Sequence, residues 1–143
     1  YWFSVDPVQQ LVVELTERDV LQDGDQHMAE HLHFKGVQLA IDDFGTGYAS
    51  YARLKTMNVD ILKIDGSFIR NLLASSLDYQ VVDSICRLAR MKNMQVVAEY
   101  VESPEIRQAV ITLGIDYMQG YLIGKPQPLI DTLNEIEPIR ESA

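Results

Sequence analysis

The sequence predicts an α/β fold built on a parallel sheet, and three observations predict it. Short apolar, β-branched runs recur along its 143 residues, amphipathic stretches separate them, and charged residues stand at the ends of the runs. The runs are Leu11 to Leu15, Val37 to Ile41, Ile61 to Ile64, Gln95 to Ala98 and, more weakly, Tyr117 to Leu122. Each has the length of a strand rather than of a helix. Between and after them the spacing predicts helices over about Asp25 to Phe34, Ser50 to Met57, Asp78 to Lys92, Pro104 to Leu113 and Ile130 to Ile136. The clearest is Tyr79 to Met91, where Val81, Val82, Ile85, Cys86, Leu88 and Ala89 form one apolar stripe that should cover the sheet. Gly36 and Gly114 stand where helices should stop. Ser103-Pro104-Glu105 reads as an N-cap, a proline in the first helical position and an acid in the first turn.

Composition narrows the class. With 47% hydrophobic residues and ordinary Gly and Pro, the chain has the material for one globular core. A formal net charge of −9 disfavours nucleic acid or an anionic membrane as a generic partner, so no DNA contact is expected and an anionic ligand would need a local cation. The single cysteine, Cys86, cannot form an intrachain disulfide, which suits a reducing, cytoplasmic location, and its neighbours make it a packing residue of a helix face. No apolar run approaches the ~18 residues of a membrane span, and no signal peptide precedes the first strand, so no membrane contact by this segment is expected. The chain opens on apolar Tyr1-Trp2-Phe3 without a Met, as the end of an earlier element would.

The polar residues fall on one side of the pattern. Glu14 and Glu17, Asp42 and Asp43, Lys63 and Asp65, Glu99 and Glu102, then Gln119, stand at the ends of successive runs. In parallel β/α folds the loops after the strands gather on one face, so these side chains should converge. Converging carboxylates repel one another unless a cation sits among them, and oxygen ligands of this kind suit Mg2+ or Mn2+. For any single acid the alternative is a helix cap or a solvated loop residue, as expected for Asp25 and Asp78. Lys63, inside the apolar stretch Ile61-Leu62-Lys63-Ile64-Asp65, needs carboxylates or a phosphate around it. Either it makes a structural ion pair with Asp42 or Asp65, or it orients a water or a phosphate in a site. Two glycines, Gly45 and Gly47, follow the paired acids and permit a sharply turned loop, and adjacent aspartates can serve two ions. His27 and His31 have the four-residue spacing of a helical metal pair, but Met28 stands where a zinc-protease motif needs Glu, so a plain helix surface is expected.

Taken in order, Glu14-Leu-Thr-Glu17, Ile41-Asp-Asp-Phe-Gly-Thr-Gly-Tyr48, Leu62-Lys-Ile-Asp65, Val97-Ala-Glu-Tyr-Val-Glu102 and Gln119-Gly-Tyr-Leu122 resemble the successive motifs of the EAL domain family, over about Asp6 to Pro128. The resemblance implies a (β/α)8 TIM-type barrel, here partial, with about five parallel strands and flanking helices. It implies that residues 1–143 are the C-terminal portion of a single EAL domain. Its activity would be hydrolysis of cyclic di-GMP to a linear dinucleotide at two divalent cations. Position by position, Glu14 and Asp42 resemble ligands of the first ion, with Asp42 bridging to a second that Asp43 and Glu99 complete. Lys63 resembles the lysine that holds the attacking water. Glu17 resembles the glutamate that braces the loop after Asp43, and Glu102, Gln119 and Asp65 match substrate-side positions.

Departures from the family pattern carry expectations too. The Glu-Ala-Leu signature and an Asn one strand later would lie upstream of Glu14, so two metal ligands should be missing and this chain alone should not turn over. Tyr100 stands where the family has Gly and should crowd the second ion. Gly66 replaces an Arg and Arg18 a Ser. The alternative function is a cyclic di-GMP receptor or a protein-interaction module. A closed barrel takes eight strands and about 250 residues. Five strands would leave two unpaired edges and an apolar inner face, open to three outcomes: the remainder lies in another chain, two copies associate, or the sheet stays open. Association of copies through the edges is the favoured expectation.

Overall fold

A computed structural model describes residues 11–16, 31–45, 58–128 and 130–132. Five strands, β1 (Val12–Thr16), β2 (Gln38–Phe44), β3 (Ile61–Ile64), β4 (Gln95–Ala98) and β5 (Tyr117–Met118), form one sheet in chain order, each parallel to the next. Three helices accompany them: α1 (Gly66–Arg70), α2 (Ser76–Met91) and α3 (Pro104–Thr112). All five strands overlap the apolar runs, and the inner three, β2, β3 and β4, are legible as the buried β-branched stretches of a parallel sheet.

Side chains alternate along a strand, so the register sorts residues onto two faces. Ile41, Leu62, Ile64, Val96 and Ala98 point to one face, all at 2% exposure or less, and pack with Val82, Ile85, Cys86 and Ala89 of α2. That is the apolar stripe read from sequence. Burial there pushes the Cys86 thiol up to about 11. Glu14 is level with Ala40, Ala40 with Ile61, and Lys63 with Val97, so Glu14, Asp42, Lys63 and Glu99 belong to the opposite face. This face has no helix over it among the described residues, and Gln95 donates there to the Tyr117 hydroxyl across 3.0 Å.

Local chemistry sets most boundaries. Ser103 accepts from the Ile106 amide at 3.2 Å with Pro104 next, as the sequence predicts. Gly36 and Gly114 take positive φ at helix ends, with Arg90 donating to the Leu113 carbonyl at 3.1 Å. Other boundaries differ. The long helix starts at Ser76, not Asp78: Ser75 is the cap, accepting from the Asp78 amide, and Asp78 sits in the first turn. Strand β2 runs on through Asp42 and Asp43 to Phe44, so the paired acids lie in the strand rather than after it. Strand β5 stops at Met118, since the chain turns at 120–123. Helix α1 is not expected from sequence, being shorter than two turns. Asp65 caps it, accepting from the Ser67 amide at 2.8 Å and from the Ser67 hydroxyl, and Ile69 anchors it in the core.

Residues 31–34 and 130–132 are helical, at the end and start of two expected helices, and the expected helix over Ser50 to Met57 lies outside the described residues. Among the described residues no helix is long and apolar enough to cross a membrane.

Candidate active site

Lys63 is the pivot. Its Nζ lies 2.9 Å from Glu14, 2.8 Å from Asp42 and 2.9 Å from Glu99, so residues of β1 and β2 and the end of β4 meet on the one ammonium of β3. The ion pair read from sequence forms with Asp42, and no ion pair joins Lys63 to Asp65. The Lys63 side chain is 8% exposed, against 50% for Glu14. Burial alone would push its pKa down. The bonds to Asp42, Glu14 and Glu99 outweigh burial and hold the pKa above the ordinary lysine value, so Lys63 stays charged.

Asp42 and Asp43 both reach this mouth because the strand is irregular. Between Ile41 and Phe44 the register against β3 shifts, placing two residues of β2 opposite Lys63 alone. Asp43 adopts φ +55, which turns the chain at the bulge. Gly45, at φ +108, follows, and a Cβ there would come 2.9 Å from the Phe68 ring, so the position both bends the chain and admits that ring.

The donor set fits a hard divalent cation. Asp42, Asp43 and Glu99 can each offer one ligand atom, all within 4.8 Å of one another. Asp42 Oδ1 is buried and makes no directed hydrogen bond, although the Lys63 ammonium lies 2.8 Å away as an ion-pair partner. An oxygen so placed has a free lone pair for an ion. With Glu14, four carboxylates face one ammonium. The excess negative charge shows in the titration. Burial first, then the charges of Asp42 and Asp43, raises the Glu99 carboxyl above its ordinary range against the pull of Lys63. Asp43, though largely exposed, is raised by its partial burial and by the charges of Asp42 and Asp65.

Beside the cluster opens a cleft of about 430 Å³ lined by Asp43, Asp65, Glu99, Tyr100, Glu102, Gln119 and Arg70. The structure thus gathers all the described acids of the expected set and Gln119, although Asp65 spends its carboxylate on the α1 cap. Glu17 and Gly47 lie outside the described residues, as does His27. His33 pairs with Asp60 at 3.5 Å, and no histidine joins the acidic cluster among the described residues.

Tyr100 and Gly66, two separate oddities in the sequence, are one feature in space. A Cβ at position 66 would fall inside the Tyr100 ring, so the ring occupies room that only a glycine leaves. The Arg70 guanidinium sits over the same ring, 4.4 Å from its centroid. Sequence reasoning missed Arg70. The available signal was its position one helical turn after Gly66, legible only once α1 is known to be a helix.

A family profile described as the EAL domain matches residues 3–126. The cyclic di-GMP phosphodiesterase PdeF of Escherichia coli (strain K12) is 71% identical over 136 residues, which is 94% of this chain and 18% of that protein. The PaMucR phosphodiesterase in complex with c-di-GMP superposes with a TM-score of 0.80 at 38% identity, covering 87% of this chain and 51% of the other. Klebsiella pneumoniae BlrP1 in its manganese/cy-diGMP complex gives 0.76 at 32% identity, over 80% and 30%. The chain therefore spans under a fifth of the PdeF sequence and about half or less of these two structures.

Proposed function

The chain belongs to the EAL domain family, and we propose that it is the C-terminal portion of one EAL domain, contributing half of a metal-dependent site that hydrolyses cyclic di-GMP to a linear dinucleotide. One observation carries the reading: Glu14, Asp42 and Glu99, from three strands, converge on Lys63 with Asp43 beside them. A cluster with excess negative charge gathered around a buried ammonium is costly as mere architecture and useful as a cation site.

Asp42, Asp43 and Glu99, with Glu14, would hold the ions, and Mg2+ or Mn2+ suits their oxygens. Bound divalent cations supply positive charge to the phosphodiester and lower the pKa of the attacking water. The surrounding carboxylates hold Lys63 in its charged form, which suits a hydrogen-bond donor. Where ions draw the surrounding carboxylates to themselves, its ammonium would be released to donate to the attacking water and to steady the charge that develops on phosphate. Glu17 and Gly47 brace the loop after Asp43, with Gly45 at its start. Asp65, Glu102 and Gln119 face the substrate in the cleft.

Tyr100, lining the same cleft beside Glu99, favours a second reading: a cyclic di-GMP receptor or interaction module that does not cleave. The test is chromatography of cyclic di-GMP incubated with Mg2+ or Mn2+. The 143-residue chain alone is expected to give no linear product, and the full-length protein to give it. Tight binding without product in the full-length protein would select the receptor. We also place the site in the cytoplasm and expect copies to associate through the outer edges of β1 and β5. A monomer by light scattering at micromolar concentration would remove that association.

A further inference from the structure

Among the described residues lining the 430 Å³ cleft, Arg70 is the only cationic side chain, and Asp43, Asp65, Glu99 and Glu102 also face there. An arginine surrounded by carboxylates ordinarily pairs with one. Arg70 makes no ion pair or hydrogen bond with another described residue; its partner is the Tyr100 ring. The ring is fixed in turn. Gly66 leaves the space it fills, and Tyr100 follows Glu99 at φ +54, which aims it back over α1. Gly66 and Arg70 are one helical turn apart, so one face of α1 carries both the notch and the cation. The result is a flat donor group displayed at the mouth of an acidic cleft, its N–H groups not committed to any described residue.

With Asp43 and Glu99 turned to the ions and Asp65 to the α1 cap, a phosphate entering beside Arg70 would still meet Glu102. A guanine would not be repelled, because its N1–H and N2–H donate to carboxylates while its O6 and N7 accept from a guanidinium. We propose that Arg70, carried on the Tyr100 ring, is a specificity-determining residue that reads the O6/N7 edge of a guanine base at this mouth. The assignment rests on cyclic di-GMP as the ligand. The following experiment distinguishes failure of the base contact from failure of the ligand assignment beneath it.

Binding of cyclic di-GMP and of its adenine counterpart, cyclic di-AMP, is measured calorimetrically on the full-length protein with Ca2+ present. Wild type, Arg70→Ala, Arg70→Lys and Tyr100→Gly are compared. Arg70 is exposed, so both Arg70 variants should fold, and circular dichroism checks this. The guanine dinucleotide should bind Arg70→Ala about 10-fold or more weakly than wild type, the scale of one bidentate base contact. Arg70→Lys should behave similarly, since an ammonium lacks the fork. Tyr100→Gly should show a smaller loss of the same kind. Cyclic di-AMP should be nearly indifferent to all three, so the guanine preference shrinks. Unchanged guanine binding in Arg70→Ala overturns the proposal, as does an equal loss for both dinucleotides. Full retention by Arg70→Lys would mean a phosphate contact and also overturns it. If wild type binds neither dinucleotide, the ligand assignment itself fails and this one with it.

Discussion

On β3, Leu62 and Ile64 point into the hydrophobic core closed off by α2, whereas Lys63, between them, points into a face of carboxylates with no helix over it among the described residues. The first face holds the molecule together by removing hydrocarbon from water. The second gathers charges that would repel one another but for a single ammonium. A strand of four residues thus serves stability with two side chains and chemistry with the one between. The difference teaches that the two tasks are separable by period alone, and it can be tested residue by residue.

The largest effect should come from Lys63→Ala. Hydrolysis by the full-length protein should fall at least about 100-fold, the scale of losing one well-placed electrostatic contact. Without metal the fold should also lose about 3–5 kcal/mol in urea titration, because the carboxylates are left uncompensated. Added Mn2+ should return more stability to this variant than to wild type. Equal stability of the two proteins in chelator would show that the acids repel less than their spacing implies.

Leu62→Ala tests the other face. A cost of about 2–5 kcal/mol in the same titration is expected, from lost burial and the cavity left behind. Metal affinity, read below the unfolding transition, should stay within about twofold. A large loss of affinity would mean that the faces are not independent.

The pH dependence sharpens the contrast on the polar side. Glu99 and Asp43 are raised in the folded chain, so each binds more protons folded than unfolded between its ordinary and its raised value. Their contribution to stability therefore falls as pH rises through that interval. Metal binding requires the ionised forms, so affinity should increase over the same interval and level off above it. Calorimetry in two buffers of different ionisation enthalpy should show protons released on binding just above the ordinary carboxylate range, and none well above it. Proton uptake would reverse the sign and overturn the assignment of these carboxyls as ligands.

The smallest effect belongs to the solvent side of α2. Arg87 pairs with Asp83 at 2.7 Å, one turn away and 71% exposed. Arg87→Ala should cost no more than about 0.5 kcal/mol by thermal melting and should weaken with salt.

Much of this was legible in the sequence. Strands of a parallel sheet leave short apolar runs, so all five are legible, the weakest being β5, and the stripe of Val82, Ile85, Cys86 and Ala89 names the covering helix. The acids and Lys63 were found because charge at the end of an apolar run is costly unless used. Helix α1 was not legible, since five residues carry too little periodicity. Nor was the role of Asp65 as its cap, or the start of α2 at Ser76, where Ser75 competes with Asp78 for the cap.

The sequence by itself determined where along the chain the five strands lie, which helix stripe covers the sheet, and that charged side chains gather at the strand ends, because alternation and helical spacing are local rules. Only the tertiary structure decided that Asp42 and Asp43 both face Lys63, since that depends on a register shift between β2 and β3. It alone joined Gly66, Tyr100 and Arg70 into one unit. Positions 66 and 100 are far apart along the chain, and the fit of a ring into a missing Cβ is a fact about distance in space, which no pattern along one dimension records.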